Sequence, residues 1–183
     1  MALSEKFVDQ HIEDWTMQLS AGVRTYRKHW PARLFHHAPL ENALAIISDG
    51  HLRARNDPQR HQLQDVAASG VIGNRQVAHE RVRLYFRPKT PTQFHIEGIR
   101  KDVDCQYGPN AHAPVLVMFV LDAKTVLTRP DILFSDQNMQ NNWAATGSDE
   151  QFFSNIPFAS VYHEGGIDGD QSITASRCAE VLP

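Results

Sequence analysis

Residues 81–96 constrain the fold more than any other stretch, because they combine a strict alternation with two prolines. Apolar side chains alternate with polar or aromatic ones over six positions: Val82, Arg83, Leu84, Tyr85, Phe86 and Arg87. This two-residue period predicts a strand with two faces, and it leaves Tyr85 opposite the apolar row, free to line a cleft. Pro88 and Pro91 lack the N–H that a strand ladder needs and predict a corner. Taken alone, the pattern is more typical of an ordinary strand and turn than of a binding site.

Two segments have the period of an amphipathic helix. Residues 4–21 carry an apolar stripe at helical spacing, made of Val8, Ile12, Trp15 and Leu19. Residues 40–49 carry another, and Gly50 follows as a helix stop.

Further strands are expected at residues 33–37, 114–122, 132–134, 155–163 and 173–182. The segment 114–122 is apolar almost throughout, which predicts a strand buried on both faces. Residues 56–73 have no clear period and predict a long loop with a helical turn at 62–68. Together the pattern predicts an α+β fold.

Composition limits the class of protein. A chain of 183 residues with 42% hydrophobic content predicts one globular domain with its own core. No apolar run approaches the roughly 20 residues of a membrane span, and no membrane partner is expected. With two cysteines, Cys105 and Cys178, a disulfide framework is excluded, so we expect a cytoplasmic protein.

The charge is unevenly distributed. The net charge of −3 argues against a general nucleic-acid binder. Residues 51–101 nevertheless hold ten Lys or Arg against four Asp or Glu, while residues 102–183 hold three against eleven. The basic middle third could attract a phosphate-bearing ligand or a nucleic-acid strand, and a solvated mixed surface explains it equally well.

Three segments together carry a resemblance to a known family. The first runs Leu-Phe-His-His-Ala-Pro-Leu-Glu-Asn over residues 34–42, the second is the 81–96 stretch, and the third is Arg-Cys-Ala-Glu over residues 177–180. The order His, Tyr, Glu is that of one large class of ADP-ribosyltransferases. More closely, the segments resemble DarT, the family of bacterial NAD-dependent DNA ADP-ribosyltransferase toxins.

The resemblance implies an architecture. We expect an ADP-ribosyltransferase-like α+β domain in which two small, split antiparallel sheets form an NAD cleft. The whole chain, 1–183, would be this single domain. Residues 1–32 would be an N-terminal helical extension, and residues 33–183 the DarT-like core.

The resemblance also implies catalytic residues. Cleavage of the nicotinamide–ribose bond passes through an oxocarbenium-like state, which a nearby carboxylate can stabilise while it accepts a proton from the nucleophile. Glu180, in the late motif, matches the family's catalytic glutamate. Arg75 is the first candidate for the family's assisting arginine, with Arg81 as the alternative.

The cofactor-binding residues come from the same motifs, with NAD as co-substrate. His36 matches a histidine that would donate to a ribose hydroxyl, and Asn42 matches the family's helix-start asparagine or is a local cap. Tyr85 and Phe94 would wall the nicotinamide ring. Thr90 stands where the family has serine, whereas Gln93 replaces an apolar residue.

The acceptor follows from the resemblance as well. Cys178 stands where transferases that modify protein arginines place Glu or Gln, so arginine is disfavoured. A base in single-stranded nucleic acid is expected, DNA before RNA, without indication of which base. A toxin or phage-defence effector of this type would have an antitoxin partner, commonly a macrodomain hydrolase.

Other functions stay open from sequence. An acceptor in RNA or protein, or a catalytically silent NAD- or nucleotide-binding module, would fit the same scaffold. Two short pairs suggest metal ligands, His36 with His37 and Asp168 with Asp170. Neither pair has further ligands at convincing spacing, so no metal is expected.

Overall fold

The computed structural model describes residues 2–61, 63–64, 76–105, 108, 111–139 and 141–183. The α-helices are α1 (Glu5–Ser20), α2 (Leu40–Asp49), α3 (Gln76–His79), α4 (Pro91–Ile96), α5 (Ala123–Leu127), α6 (Glu150–Asn155), α7 (Phe158–Val161) and α8 (Gln171–Ser176). The strands are β1 (Arg33–Pro39), β2 (Leu84–Tyr85), β3 (Leu116–Asp122), β4 (Leu133–Ser135), β5 (Thr146–Gly147) and β6 (Glu180–Leu182). Short 3-10 helices cover Thr25–His29 and Asp102–Asp104.

Within these described ranges the strands form one antiparallel sheet of six, in the order β3-β1-β2-β6-β4-β5. The two-residue strand β2 connects its halves, because Phe35 of β1 pairs with Tyr85 and Glu180 of β6 pairs with the same tyrosine. The expected split into two separate sheets is therefore not confirmed. Strand β2 is therefore a narrow junction between the two halves of the sheet.

The N-terminal helix packs on the main core. Ser4 caps α1 by accepting the N–H of Phe7, and the predicted apolar stripe faces inward, with Val8 and Leu19 buried. Its neighbours are aromatic: Trp15 contacts the rings of Phe158 and Tyr162. Helix α2 also forms and ends at Gly50, whose φ of 73° is the left-handed conformation that glycine favours. Its apolar stripe does not face the core as a whole, because Leu44 and Ile47 are exposed while Ala43 is buried.

Two of the predicted strands are helical in the structure, wholly or in part. Residues 155–163 contain the end of α6 and the helix α7 in place of a strand, because Phe158, Val161 and Tyr162 have the three- and four-residue spacing of a helix. Residues 173–182 divide into α8, capped by Asp170, and the short β6.

The strand expected at 114–122 forms as β3, but it lies at the edge of the sheet. Its side chains are accordingly half exposed, Val120 at 54%, so it is not buried on both faces as predicted. Within the described chain, no helix combines the length and apolarity that a membrane span requires.

Candidate active site

A cavity of about 260 Å³ opens beside the narrow junction of the sheet. Its walls come from β1 with α2, from the segment 51–64, and from the stretch between Arg81 and α4. The cavity is lined by four residues that were predicted from the sequence to bind NAD: His36, Asn42, Tyr85 and Thr90. Arg53, Arg55 and Arg60 also reach its surface. Arg53 is paired with the carboxylates of Asp49 and Asp57, at 2.6 and 3.3 Å, so the positive charge that a bound pyrophosphate would meet comes from Arg55 and Arg60.

Glu180 begins β6 and stands directly beside this cavity's Tyr85 in the strand register. Its backbone N–H donates to the Ser135 hydroxyl at 3.2 Å, and its side chain is 0% exposed. Burial raises the pKa of the Glu180 carboxyl, while the neighbouring Arg83 opposes that rise. The Tyr85 hydroxyl and the backbone of Met139 also hydrogen-bond to the carboxylate.

Arg83 pairs with both oxygens of this carboxylate. Its Nε donates to Glu180 Oε2 at 3.1 Å and its Nη2 donates to Oε1. The same Nη2 donates to Asn138 Oδ1 at 2.9 Å. Burial disfavours the charged guanidinium, but Glu180 outweighs that effect and raises the pKa of Arg83.

His36 is held in one tautomer by the backbone. Its Nδ1 lies 2.9 Å from the carbonyl oxygen of Arg83, so that nitrogen carries the proton and donates it. Burial lowers the pKa of His36 to about 4, so the ring is neutral and Nε2 is an acceptor. A ribose hydroxyl would therefore donate to His36, which reverses the direction expected from sequence.

Comparison with known proteins identifies the scaffold. One family profile, described as "ssDNA thymidine ADP-ribosyltransferase, DarT", matches residues 35–182. The chain belongs to the DarT family. NAD is accordingly the co-substrate of the family's reaction, an ADP-ribosyl transfer. Comparison with curated protein sequences gave no match.

Solved structures support the same fold. Thermus sp. 2.9 DarT in complex with ADP-ribosylated ssDNA matches with a TM-score of 0.64 at 16% identity, and the same protein with carba-NAD+ gives 0.63 at 17%. Its complex with NAD+ gives 0.61 at 15%. Each match covers 83% of this chain and 74% of the other.

Asn42 uses its amide to hold a loop. Its Oδ1 accepts the N–H groups of Leu63 and Gln64 at 2.9 and 3.0 Å, and its Nδ2 donates to the Gln64 carbonyl at 2.6 Å. The asparagine of the DarT motif is therefore not a local helix cap here. It fixes one wall of the cavity.

The corner after β2 places Thr90 and Phe94 differently. Thr90 is buried and caps α4 by accepting the Gln93 N–H at 3.1 Å. Phe94 is 69% exposed and packs under the guanidinium of Arg100, so it does not wall the cavity. The reason is that residues 91–96 are helical, which turns Gln93 to the cavity instead. Gln93 Oε1 is buried there without a hydrogen-bond partner among the described residues.

The structure describes one of the two arginines that were predicted from the sequence to assist catalysis. Arg75, the first choice from sequence, lies outside the described residues. Arg81 donates to the backbone carbonyls of Asp131 and Leu182, at 2.5 and 3.1 Å, and so ties β6 to the turn before β4. Among the described residues, the arginine in contact with Glu180 is Arg83, which was not predicted from the sequence.

Two residues that line the cavity could have been found from sequence. Arg83 shares the strand face of Tyr85, as the alternation predicted. His37 was set aside because alternation points it away from His36, yet its Nε2 lies 2.8 Å from the Pro88 carbonyl and its ring also lines the cavity. In the part of the chain that the structure describes, no three His, Cys, Asp or Glu side chains could hold a metal ion.

Proposed function

We propose that this chain transfers ADP-ribose from NAD+ to thymidine in single-stranded DNA. The observation that carries the proposal is the placement of Glu180, a buried carboxylate held by Arg83 and Tyr85 beside a cavity with arginines in its wall. The family description supplies the thymidine acceptor. The solved complexes of Thermus sp. 2.9 DarT with NAD+ and with ADP-ribosylated ssDNA support the same assignment.

Glu180 is the proposed catalytic residue. NAD+ supplies the ADP-ribosyl group, whose ribose carbon loses nicotinamide and forms a bond to the acceptor base. A carboxylate near that carbon stabilises the positive charge of the transition state and accepts the proton that the base gives up. Arg75 stays a candidate for an assisting role.

The residues in the cavity fit NAD+. His36 Nε2 offers an acceptor for a ribose hydroxyl, and the Tyr85 ring offers a flat apolar wall. Gln93 Oε1 has no hydrogen-bond partner among the described residues, and a carboxamide N–H of NAD+ would supply one. Thr90 and Asn42 shape the site by fixing α4 and the 63–64 loop.

We also propose a domain organisation and a cellular location for the protein. We infer that residues 1–32 form an extension packed on a core of residues 33–183, and α1 supports this by burying Val8 and Leu19. A cytoplasmic location is supported by the free thiols of Cys105 and Cys178. A toxin or phage-defence role and a macrodomain antitoxin stay predictions.

The decisive experiment uses NAD+ labelled in its adenosine and two single-stranded DNA oligonucleotides that differ by one thymidine-to-cytidine change. The thymidine oligonucleotide should gain one ADP-ribose by mass, and the cytidine one should not. Matched RNA and protein acceptors are added in parallel, with Glu180→Gln as the inactive control. Label on RNA or protein alone would overturn the DNA assignment, and binding of NAD+ without any turnover would favour the silent module.

A further inference from the structure

Glu180 occupies an environment that does not by itself suit an ionised carboxylate. The side chain is 0% exposed, and its strand β6 is paired on both sides, with β2 and with β4. Moving a carboxylate from water into such a site favours the neutral acid. A neutral acid could neither accept a proton nor stabilise a developing positive charge.

Arg83 makes a bidentate contact with Glu180 that favours the charged form of the carboxylate. It immediately precedes β2 and lies on the same strand face as Tyr85, whose register partner is Glu180. Two nitrogens of one guanidinium therefore contact two oxygens of one carboxylate. This fork geometry fixes the plane of the carboxylate as well as supplying a charge.

Arg83 is also the part of this pair that faces the cavity. Its side chain is 21% exposed and lines the cavity, as does Asn138, whereas Glu180 is fully covered. Asn138 Oδ1 accepts from the same Nη2, and Asn138 Nδ2 donates to Thr92 at 3.1 Å. The guanidinium thus has a second acceptor beside it, so it can release one carboxylate oxygen to a substrate hydroxyl without leaving the site.

We propose that Arg83 is a positioning residue that keeps Glu180 in its charged form at neutral pH and aims its oxygens toward the cavity, with Asn138 holding the guanidinium. This role rests on the proposed function for its catalytic consequence, but the protonation of Glu180 can be measured without any turnover. Arg83 acts through Glu180 and need not touch the acceptor base.

The test compares wild type with two variants. Arg83→Gln removes the positive charge, whereas Arg83→Lys keeps the charge but cannot make the bidentate contact with the carboxylate. Arg81→Gln is the matched control, because Arg81 lies two residues earlier and contacts backbone carbonyls instead of a carboxylate. The first readout is the ¹³C shift of the Glu180 carboxyl as a function of pH, assigned by difference from Glu180→Gln. Circular dichroism confirms that each variant is folded.

In Arg83→Gln the protonation midpoint of Glu180 should move upward by at least about one pH unit, which is about tenfold in the ionised fraction below the midpoint. Arg83→Lys should recover most of the shift, and Arg81→Gln should not move it. An unchanged midpoint in Arg83→Gln would overturn the proposal. If Arg83→Gln does not fold, the same comparison is made with Arg83→Met, which also removes the charge but keeps an unbranched side chain, and an unmoved midpoint there would overturn the proposal.

The second readout is the pH profile of ADP-ribosyl transfer. Activity that needs the ionised carboxylate is present above its midpoint and lost below it, so the pH profile of Arg83→Gln should move upward together with the midpoint, and its activity should approach that of the wild type as the pH rises. A uniform loss at every pH would indicate a merely structural role. A ¹³C shift without any transfer in wild type would overturn the proposed function and leave the role of Arg83 intact.

Discussion

Tyr85 and Glu180 lie directly opposite each other in the ladder between β2 and β6, and the tyrosine hydroxyl hydrogen-bonds to the carboxylate. Residues facing each other across such a pair project from the same face of the sheet. A ring that lines the cavity is thereby fixed beside the proposed catalytic group, although the two residues are far apart in sequence. The pairing gives Tyr85 two separable roles, a wall and a hydrogen-bond donor.

Substitution at Tyr85 should separate these roles. Tyr85→Phe keeps the ring and removes one hydrogen bond to Glu180, so we expect NAD+ affinity to hold and the transfer rate to fall about fivefold, the equivalent of about 1 kcal/mol. Tyr85→Ala removes the wall and should weaken NAD+ binding at least about tenfold. Calorimetric titration with NAD+ and single-turnover kinetics measure the two effects. Equal affinity losses in both variants would contradict the role of the ring.

Glu180→Gln should abolish transfer while leaving the cavity in place. Losing the proton acceptor and the negative charge should lower the rate by about 10² to 10⁴-fold. The substitution also leaves Arg83 without its ionic partner, and breaking a buried pair should lower the free energy of unfolding by about 3 kcal/mol. Transfer assays and urea denaturation check the two expectations. A variant with wild-type transfer would exclude Glu180 as the catalytic residue.

Sequence was most informative where a motif and a period agreed. Tyr85 could be placed beside a cleft because the alternation assigned it a face and the family motif assigned it a role. Helix α2 could be predicted from its apolar residues at helical spacing and from Gly50 as a helix stop, because both signals depend on residues that are close in sequence. These features depend on neighbours close in sequence.

Features that depend on distant partners could not be predicted. Alternation placed Arg83 on the correct face, but its ion pair requires the β2–β6 register, which brings residues 83 and 180 together. The apolar β3 was expected to be buried on both faces, but it lies at the edge of the sheet and is partly exposed, because strand order is set by the whole chain. Phe94 turned outward because a proline-started segment continued as a helix.

Asn42→Ala should loosen the cavity wall without touching the reacting groups. Three hydrogen bonds join this amide to Leu63 and Gln64, so we expect the free energy of unfolding to fall by about 1–3 kcal/mol. The KM for NAD+ should rise while kcat changes little, since Glu180 and Arg83 stay in place. Asn42→Asp keeps both acceptor contacts but places a carboxylate oxygen against the Gln64 carbonyl in place of the donor, so it should also be less stable than wild type. A fall in kcat with unchanged KM would contradict this assignment.

Stability should decrease as the pH falls from about 6.5 to 4, because buried histidines resist protonation in the folded chain, His11 and His36 most strongly. Burial lowers the pKa of His36 and of His11 to about 4; His11 packs against the rings of Phe153 and Phe158. In the unfolded chain both regain ordinary pKa values near 6.5, so between these limits the unfolded state binds more protons. Each group contributes stability that is fully present above pH 6.5, and we expect a loss of about 1–3 kcal/mol per histidine by pH 4.

Urea denaturation of wild type, His11→Gln and His36→Gln at pH 7.5, 6 and 5 measures this dependence. Each substitution should flatten the slope of stability against pH, and the double variant should flatten it most. His29→Gln is the control, because His29 lies exposed on the surface. A wild-type slope in both His11→Gln and His36→Gln would show that other groups, such as buried carboxylates, govern acid stability.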